Sequence, residues 1–370
     1  MKLDENKHRR VLHWLGKTDL YPEHHSTIAD ALYVLVENGG TSYALNLLPQ
    51  ANKIALDLWH HPDQTGPVET LINFWLSGFA LWRKQQDPVP TALSHEYYQV
   101  LSGIVQEQKP WGTSGRAILA SQLAFLLAVD EAWTRKNLLP LFDPDNGDFQ
   151  AAWGGFLSGG RLDSAVAEVM ADHFLKVLEL IDSDLSDKRE LFIEYYTNML
   201  IYFVEDPFDK WIPKLFHLDS PEARQEFVFN LSRCLQNLNE AAQQELWQRW
   251  LKQYWENRVQ GIPTALEPGE IVSMLKWLPH LTAVFPEAVD LVVQMQKVQL
   301  ENYWVIDRLN KSDLSQRHPE ALAKLLIYLW ECNLPNYTWV SGQELIDKLL
   351  KQDIITSEQK QKLKEIKIQL

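Results

Sequence analysis

Apolar residues recur at steps of three and four along most of the chain, the spacing that places side chains on one face of an α-helix. From Val68 to Trp82, the residues Leu71, Ile72, Trp75, Leu76, Phe79 and Trp82 make one wide stripe. The same phasing predicts helices over Ile118 to Trp133, Ala165 to Ile181, Phe192 to Val204, Phe227 to Leu238, Leu246 to Trp255 and Leu322 to Trp330. Alternating β-branched runs bounded by Asn-Gly or Asp-Gly turns are missing. The expected fold class is therefore all-α.

Helix punctuation agrees with this pattern. Ser220-Pro221 reads as an N-cap followed by Pro at the first helical position. Ser341 with Glu344, and Thr356 with Gln359, have the spacing of capping boxes. Asn38-Gly39-Gly40 reads as a helix C-terminus. Short polar turns between such helices predict antiparallel neighbours. The phrases around Pro140, Pro213 and Pro279 each place Pro in an apolar cluster expected to end a helix, and they lie 73 and 66 residues apart. Half of those intervals is roughly 33–37 residues, the length of a helix-pair repeat. The expectation is an α-α superhelix, a HEAT-like helical repeat array running through residues 1–370 as one elongated or curved solenoid. The best candidates for internal boundaries are the Pro-containing loops at 86–92 and 261–269.

Composition narrows the function. An apolar fraction of 46% rules out a disordered chain. Fifteen tryptophans, each able to bury about 150–250 Å², point mainly to helices wedged together by large rings, with some rings left as partner anchors. The formal net charge of -14 argues against binding nucleic acid directly, which requires Lys and Arg to neutralise phosphates. No apolar run approaches the roughly 18–20 residues of a membrane span, and Leu119 to Val129 is interrupted by Ser121 and Gln122. Met1 to Arg10 is charged and has no apolar signal-peptide region. The expected location is the cytoplasm.

Little of the sequence has the form of a reaction centre. Asp143-Pro144-Asp145-Asn146-Gly147-Asp148 spaces carboxylates like a calcium loop, but Asp148 and Gly154 stand where that loop needs Gly and Glu. Gly154-Gly155 and Gly159-Gly160-Arg161 lack the Lys-Ser or Lys-Thr of a phosphate loop. They read instead as close helix packing and a helix stop. His24-His25 and His60-His61 are adjacent pairs, which do not share a helix face as zinc ligands do. Cys234 and Cys332 have neither disulfide nor zinc spacing. No catalytic, cofactor-binding or metal-binding residue is assigned. The nearest local cluster of titratable groups is Glu168, Asp172 and His173.

The phrases Gly115-Arg-Ala-Ile-Leu-Ala, Leu123-Ala-Phe-Leu-Leu-Ala, Leu138-Leu-Pro-Leu-Phe-Asp and Ala151-Ala-Trp-Gly-Gly-Phe-Leu, with Phe174-Leu and Leu178, resemble a helical domain of unknown function. That domain occurs near the C-terminus of large bacterial anti-phage defence proteins, notably those with an N-terminal sirtuin-type NAD-degrading domain. Leu71-Ile-Asn-Phe-Trp-Leu and Leu81-Trp-Arg-Lys resemble the region preceding it. The resemblance implies a sensor or scaffold beside a separate effector. The chain carries no sirtuin-like strands, nuclease carboxylate-lysine motif or Walker motif, so the effector is expected on another chain or segment.

The functional expectation is a non-catalytic scaffold that recognises a protein, either an effector subunit or a phage protein. Its expected contact residues are Asp143, Asp145, Trp153, Phe156 and Arg161, grouped around one turn and rich in types that anchor interfaces. Two alternatives stand beside it: an inhibitory subunit of a toxic effector, and a hydrolase-like helical enzyme with a site between helices.

Overall fold

The apolar stripes fold as helices, and no strand occurs among the described residues. The structure is a computed structural model that describes residues 25–37, 42–60, 67–218, 220–299, 304–332 and 340–370. It divides into two compact units, Met1–His173 and Phe174–Leu370. The loops at 86–92 and 261–269 each lie inside a unit, and the division falls within a helix.

In the first unit the order is α1 (His25–Glu37), α2 (Ser42–His60), α3 (Val68–Lys84), α4 (His95–Gln106), α5 (Pro110–Ser121), α6 (Leu123–Val129), α7 (Glu131–Asn137) and α8 (Phe149–Gly159). A 3-10 turn, Leu139–Phe142, follows α7, and α9 (Ser164–Val177) spans the division. Each of α1, α3, α5 and α8 packs on the next of that series. The stripe foreseen on α3 is buried at Leu71, Ile72, Trp75, Leu76 and Phe79. The Asn38-Gly39-Gly40 stop lies outside the described residues, as do His24 and His61.

The single helix expected over Ile118 to Trp133 is three helices. Between α5 and α6 the axis bends by 73°. Ser121 turns its hydroxyl back to the Ile118 carbonyl at 2.7 Å, a contact that bends helices. Asp130 then caps α7 by accepting from the Trp133 N–H at 2.9 Å, the preferred role of Asp at an N-cap. No single helix among the described residues is long and apolar enough to cross a membrane.

The tightest packing in this unit joins α5 to α8. A Cβ placed on Gly155 would lie 1.9 Å from the Ala117 carbonyl oxygen, so only glycine lets the two backbones meet. Gly160 closes α8 as the foreseen stop, its N–H donating to the Phe156 carbonyl at 2.6 Å.

The second unit continues with α10 (Arg189–Tyr202), α11 (Trp211–His217), α12 (Pro221–Leu235), α13 (Glu240–Leu246), α14 (Lys252–Val259), α15 (Pro268–Leu275) and α16 (Phe285–Val292). It ends with α17 (Trp304–Lys311), α18 (Leu314–Arg317), α19 (Pro319–Glu331), α20 (Val340–Leu350) and α21 (Ser357–Gln369). Here α12 packs on both α10 and α15, and α19 packs on both α16 and α21. A π-turn, Trp247–Leu251, joins α13 to α14 and directs Trp247, Trp250 and Trp255 into the core, all buried beside Trp277.

Ser220 caps α12 with Pro221 at its first position, and Thr356 with Gln359 forms a capping box on α21. Ser341 instead lies inside α20 and donates to Asp307 at 3.4 Å, while Glu344 accepts from Asn310 at 2.9 Å. Pro140 and Pro279 sit in 3-10 turns after helices. Pro213 falls in the first turn of α11 rather than at a helix end, where a residue without an N–H costs no helical bond.

The loop after α14 is tied down by a buried ion pair. The Arg258 Nε lies 2.6 Å from Glu270 Oε1, with side chains 1% and 2% exposed. The same guanidinium donates to the carbonyls of Ile262, Thr264 and Ala265, and the Tyr254 hydroxyl donates to Glu270 at 3.2 Å. Gly261 has φ +73°, the left-handed conformation that ends a helix without a Cβ penalty. Residues 261–269 are thus a clasped turn inside the unit.

Candidate functional site

The turn at 143–161 is built from the inside. Asp148 faces Arg116, whose Nε lies 2.7 Å from Oδ2 and whose terminal nitrogen donates to Oδ1 at 2.9 Å. Thr113 donates to the same Oδ1 at 2.9 Å. Arg116 also donates to the carbonyls of Val105 and Glu107, joining the start of α8 to the end of α4. Asp143 is half-buried, 3.4 Å from the His173 Nδ1. Asp145 and Arg161 are exposed. The carboxylates of the turn therefore point apart, and the described residues contain no group of three His, Cys, Asp or Glu placed to hold a metal ion.

Trp153 and Phe156 do not face solvent. Both are fully buried in edge-on contact with Phe142, at centroid distances of 5.4 and 5.8 Å. The Trp153 indole donates to the Phe142 carbonyl at 3.1 Å. Trp153 and Phe156, three apart on α8, share a face that packs on Phe142, so the two rings fill the core. This corrects the expectation that all five residues form one surface. Asp143, Asp145 and Arg161 remain accessible, and the two aromatic anchors are packing residues. The trio Glu168, Asp172 and His173 does not converge either. Glu168 reaches toward Arg135 at 3.8 Å, His173 toward Asp143, and Asp172 is exposed.

A groove with accessible apolar side chains lies on the second unit, along α10, α12 and α15. The groove, of about 430 Å³, is lined by Arg189, Leu191, Glu194, Glu222, Glu226, Phe229, Arg233 and Lys276, with Glu190 at its edge. Leu191 is 36% exposed and Phe229 46%, against the tendency of such side chains to be covered. Lys276 lies over the Phe229 ring at 5.7 Å, and burial lowers the pKa of its ammonium from the ordinary value.

Most of the charges in the groove are already paired. Glu226 accepts from Arg189 at 2.8 and 3.1 Å and holds that guanidinium's pKa above its ordinary value. Arg233 lies 3.4 Å from Glu194. Glu190 and Glu222 make no ion pair among the described residues, which leaves two carboxylates of the groove without a cationic partner.

Through Glu194, Asn230 and Arg233 the groove continues to a smaller hollow holding Asn198, Tyr202 and Cys234. Tyr202 is 48% exposed. The Cys234 thiol donates to Asn198 at 3.3 Å, and burial pushes its pKa up to about 11. A thiol held protonated is a poor nucleophile. The sequence carried one signal for this face: Phe229 falls outside the stripe made by Phe227, Val228, Leu231 and Leu235.

Residues 199–363 match the model of a family described as a domain of unknown function, DUF4020. The matched residues include α12 and α15 but not the Arg189–Glu194 side of the groove, and lie downstream of the phrases at 115–178 on which the resemblance to a helical domain of unknown function rests. No curated protein matches the chain. One solved structure, described as an engineered protein, aligns over 99% of this chain and 98% of its own at 13% identity with a TM-score of 0.32, a likeness too low to support an inference about fold or function.

Proposed function

We propose that this chain is a non-catalytic α-helical scaffold or sensor subunit that recognises a protein partner through the α10–α12–α15 groove. The observation that carries the reading is the pair of exposed apolar side chains, Leu191 and Phe229, set between unpaired Glu190 and Glu222. Exposed apolar surface rimmed by polar groups is characteristic of protein docking sites. The two carboxylates favour a segment that presents an apolar anchor flanked by basic residues, since complementary charge selects partner and register.

The packing of helices two or three apart in order, α1 on α3 on α5 on α8 and α10 on α12 on α15, supports stacked helical hairpins of the HEAT-like kind within each unit. The residues resembling a domain of anti-phage proteins support a cytoplasmic role in bacterial defence, with the effector on a separate polypeptide. An inhibitory subunit of a toxic effector would use the same groove, and the partner's activity in the complex separates the two roles.

The test is a pull-down of the tagged chain from its native host, with and without phage infection, read by mass spectrometry beside the Phe229→Ala variant. A stoichiometric nuclease, NADase or ATPase that is lost with Phe229→Ala supports the scaffold. A phage protein captured only on infection and lost in the same way supports the sensor. Recovery of the chain alone in both states, or capture unchanged in Phe229→Ala, overturns the groove reading.

A further inference from the structure

The first unit carries a second cavity with a different chemistry. It holds about 460 Å³ between α2, α3 and the first turn of α4, within the size range of small-ligand sites. Phe74, Trp82 and Tyr97 supply aromatic rings to its wall, and among the described residues Glu96 is the charged group there, with no Lys, Arg or His in the lining. The Trp82 and Tyr97 centroids are 6.5 Å apart, and Phe79 packs behind both at 5.6 and 4.9 Å.

The polar groups of this cavity are fixed from below. The buried Trp75 indole donates to Asn52 Oδ1 at 2.6 Å, which sets the amide so that its nitrogen donates to Glu96 Oε1. Glu96 Oε2 and the Tyr97 hydroxyl have no hydrogen-bond partner among the described residues. Tyr97 is held in place beside Gly78, where a Cβ would lie 3.0 Å from the phenol oxygen. Burial raises the phenol's pKa above its ordinary value, so the hydroxyl stays neutral at physiological pH and adds no second negative charge.

We propose that this cavity binds an organic ammonium group, seated against the Trp82 and Tyr97 rings and paired with the free oxygen of Glu96. Aromatic rings attract a cation through their negative faces, and here half-buried Trp82 and exposed Glu96 leave the site open to a ligand. The Glu96 side chain in the same wall adds a partner of opposite sign for a cation and disfavours anions. Among the described residues the cavity wall offers no cation of its own to compete. The same group could arrive on a free quaternary amine or on a lysine side chain of another protein, and the ligands chosen below separate these sources.

The experiment is calorimetric and ligand-observed NMR titration of the full chain with choline, with its neutral isostere 3,3-dimethyl-1-butanol, and with Nα-acetyl-lysine methylamide. Saturable binding of choline or the lysine amide, with the neutral isostere weaker by about tenfold or more, is expected from the cation–π and ionic contributions. Glu96→Gln and Trp82→Leu should each lower affinity about tenfold, while Trp82→Phe should retain most of it. Preference for choline assigns a small amine; preference for the lysine amide assigns a protein ligand. Equal binding of the isostere, no saturable binding of either ammonium, or an unchanged affinity in a folded Glu96→Gln variant overturns the proposal. Thermal melts of each variant separate lost binding from lost folding.

Discussion

Residues 143–161 and residues 189–233 have opposite relations between sequence and surface. The first segment is conspicuous in the sequence, with repeated Asp, paired Gly, Trp153 and Phe156, yet its aromatic residues are core and its Asp148 is held by Arg116. The second reads as two ordinary amphipathic helices, yet it leaves Leu191, Phe229 and Tyr202 exposed along a groove. Distinctive wording in a helical protein thus marks the places where backbones must approach or turn sharply. An interface can instead be written as a few apolar residues out of phase with the buried stripe.

Truncating a core ring should have the largest effect. Trp153→Ala removes a fully buried indole, its bond to Phe142 and two edge-on ring contacts. A loss of about 4 kcal/mol in a urea titration is expected. A loss under about 1 kcal/mol, the range of surface positions, would break the contrast by showing that the indole is not a core element. Gly155→Ala comes next. Its new Cβ would collide with the Ala117 carbonyl, and forcing α5 from α8 should cost about 3 kcal/mol, seen as a lowered denaturation midpoint. Asp145→Ala, in the same segment but exposed, should change stability by no more than about 0.5 kcal/mol.

The helical class was legible because a three- and four-residue period needs no tertiary information, and the α3 stripe is buried almost as read. Caps were legible where the side chain had no competing partner, as at Ser220 and Thr356. Ser341 failed because Asp307, a residue distant in sequence, takes its hydroxyl. Asp130 was passed over because it interrupts an apolar run that otherwise reads as one helix. The burial of Trp153 depends on Phe142, from the turn before α8, meeting its ring and indole N–H, a tertiary contact that no periodicity reports. The groove needed three helices, α10, α12 and α15, brought together by packing across the sequence. The pocket at Glu96 depends on the chain from Trp75 through Asn52, whose members lie 23 and 44 positions apart.

A pH titration sharpens the groove's side of the contrast, because loss of capture in acid must be separated from loss of fold. His280 sits in the turn between α15 and α16, where burial first and the Arg308 charge second lower its pKa from 6.5 to about 4. Between these values the unfolded chain binds a proton that the folded chain refuses. Stability contributed by the neutral imidazole is therefore complete above pH 6.5, falls as pH drops toward 4, and levels off below. Urea midpoints measured from pH 7 to pH 4 should decline less in His280→Gln. An identical decline in both proteins would remove His280 as the cause.

A much smaller effect on stability than at Trp153 is expected at Phe229, and that difference is what gives the contrast meaning. The ring is 46% exposed, so truncation removes partial burial and one stacked lysine rather than a filled core site. Lys276 over the ring contributes on the order of 0.5 kcal/mol at such exposure, and the remaining exposed area has solvent on both sides of the transition. Phe229→Ala should therefore lower stability by about 1 kcal/mol in a urea titration, well below the loss at Trp153. If it instead destabilises like Trp153→Ala, Phe229 is a core residue seen at an edge, and its exposure cannot be read as a docking feature. If stability holds while partner capture fails, the exposed ring contributes to recognition without being required by the fold.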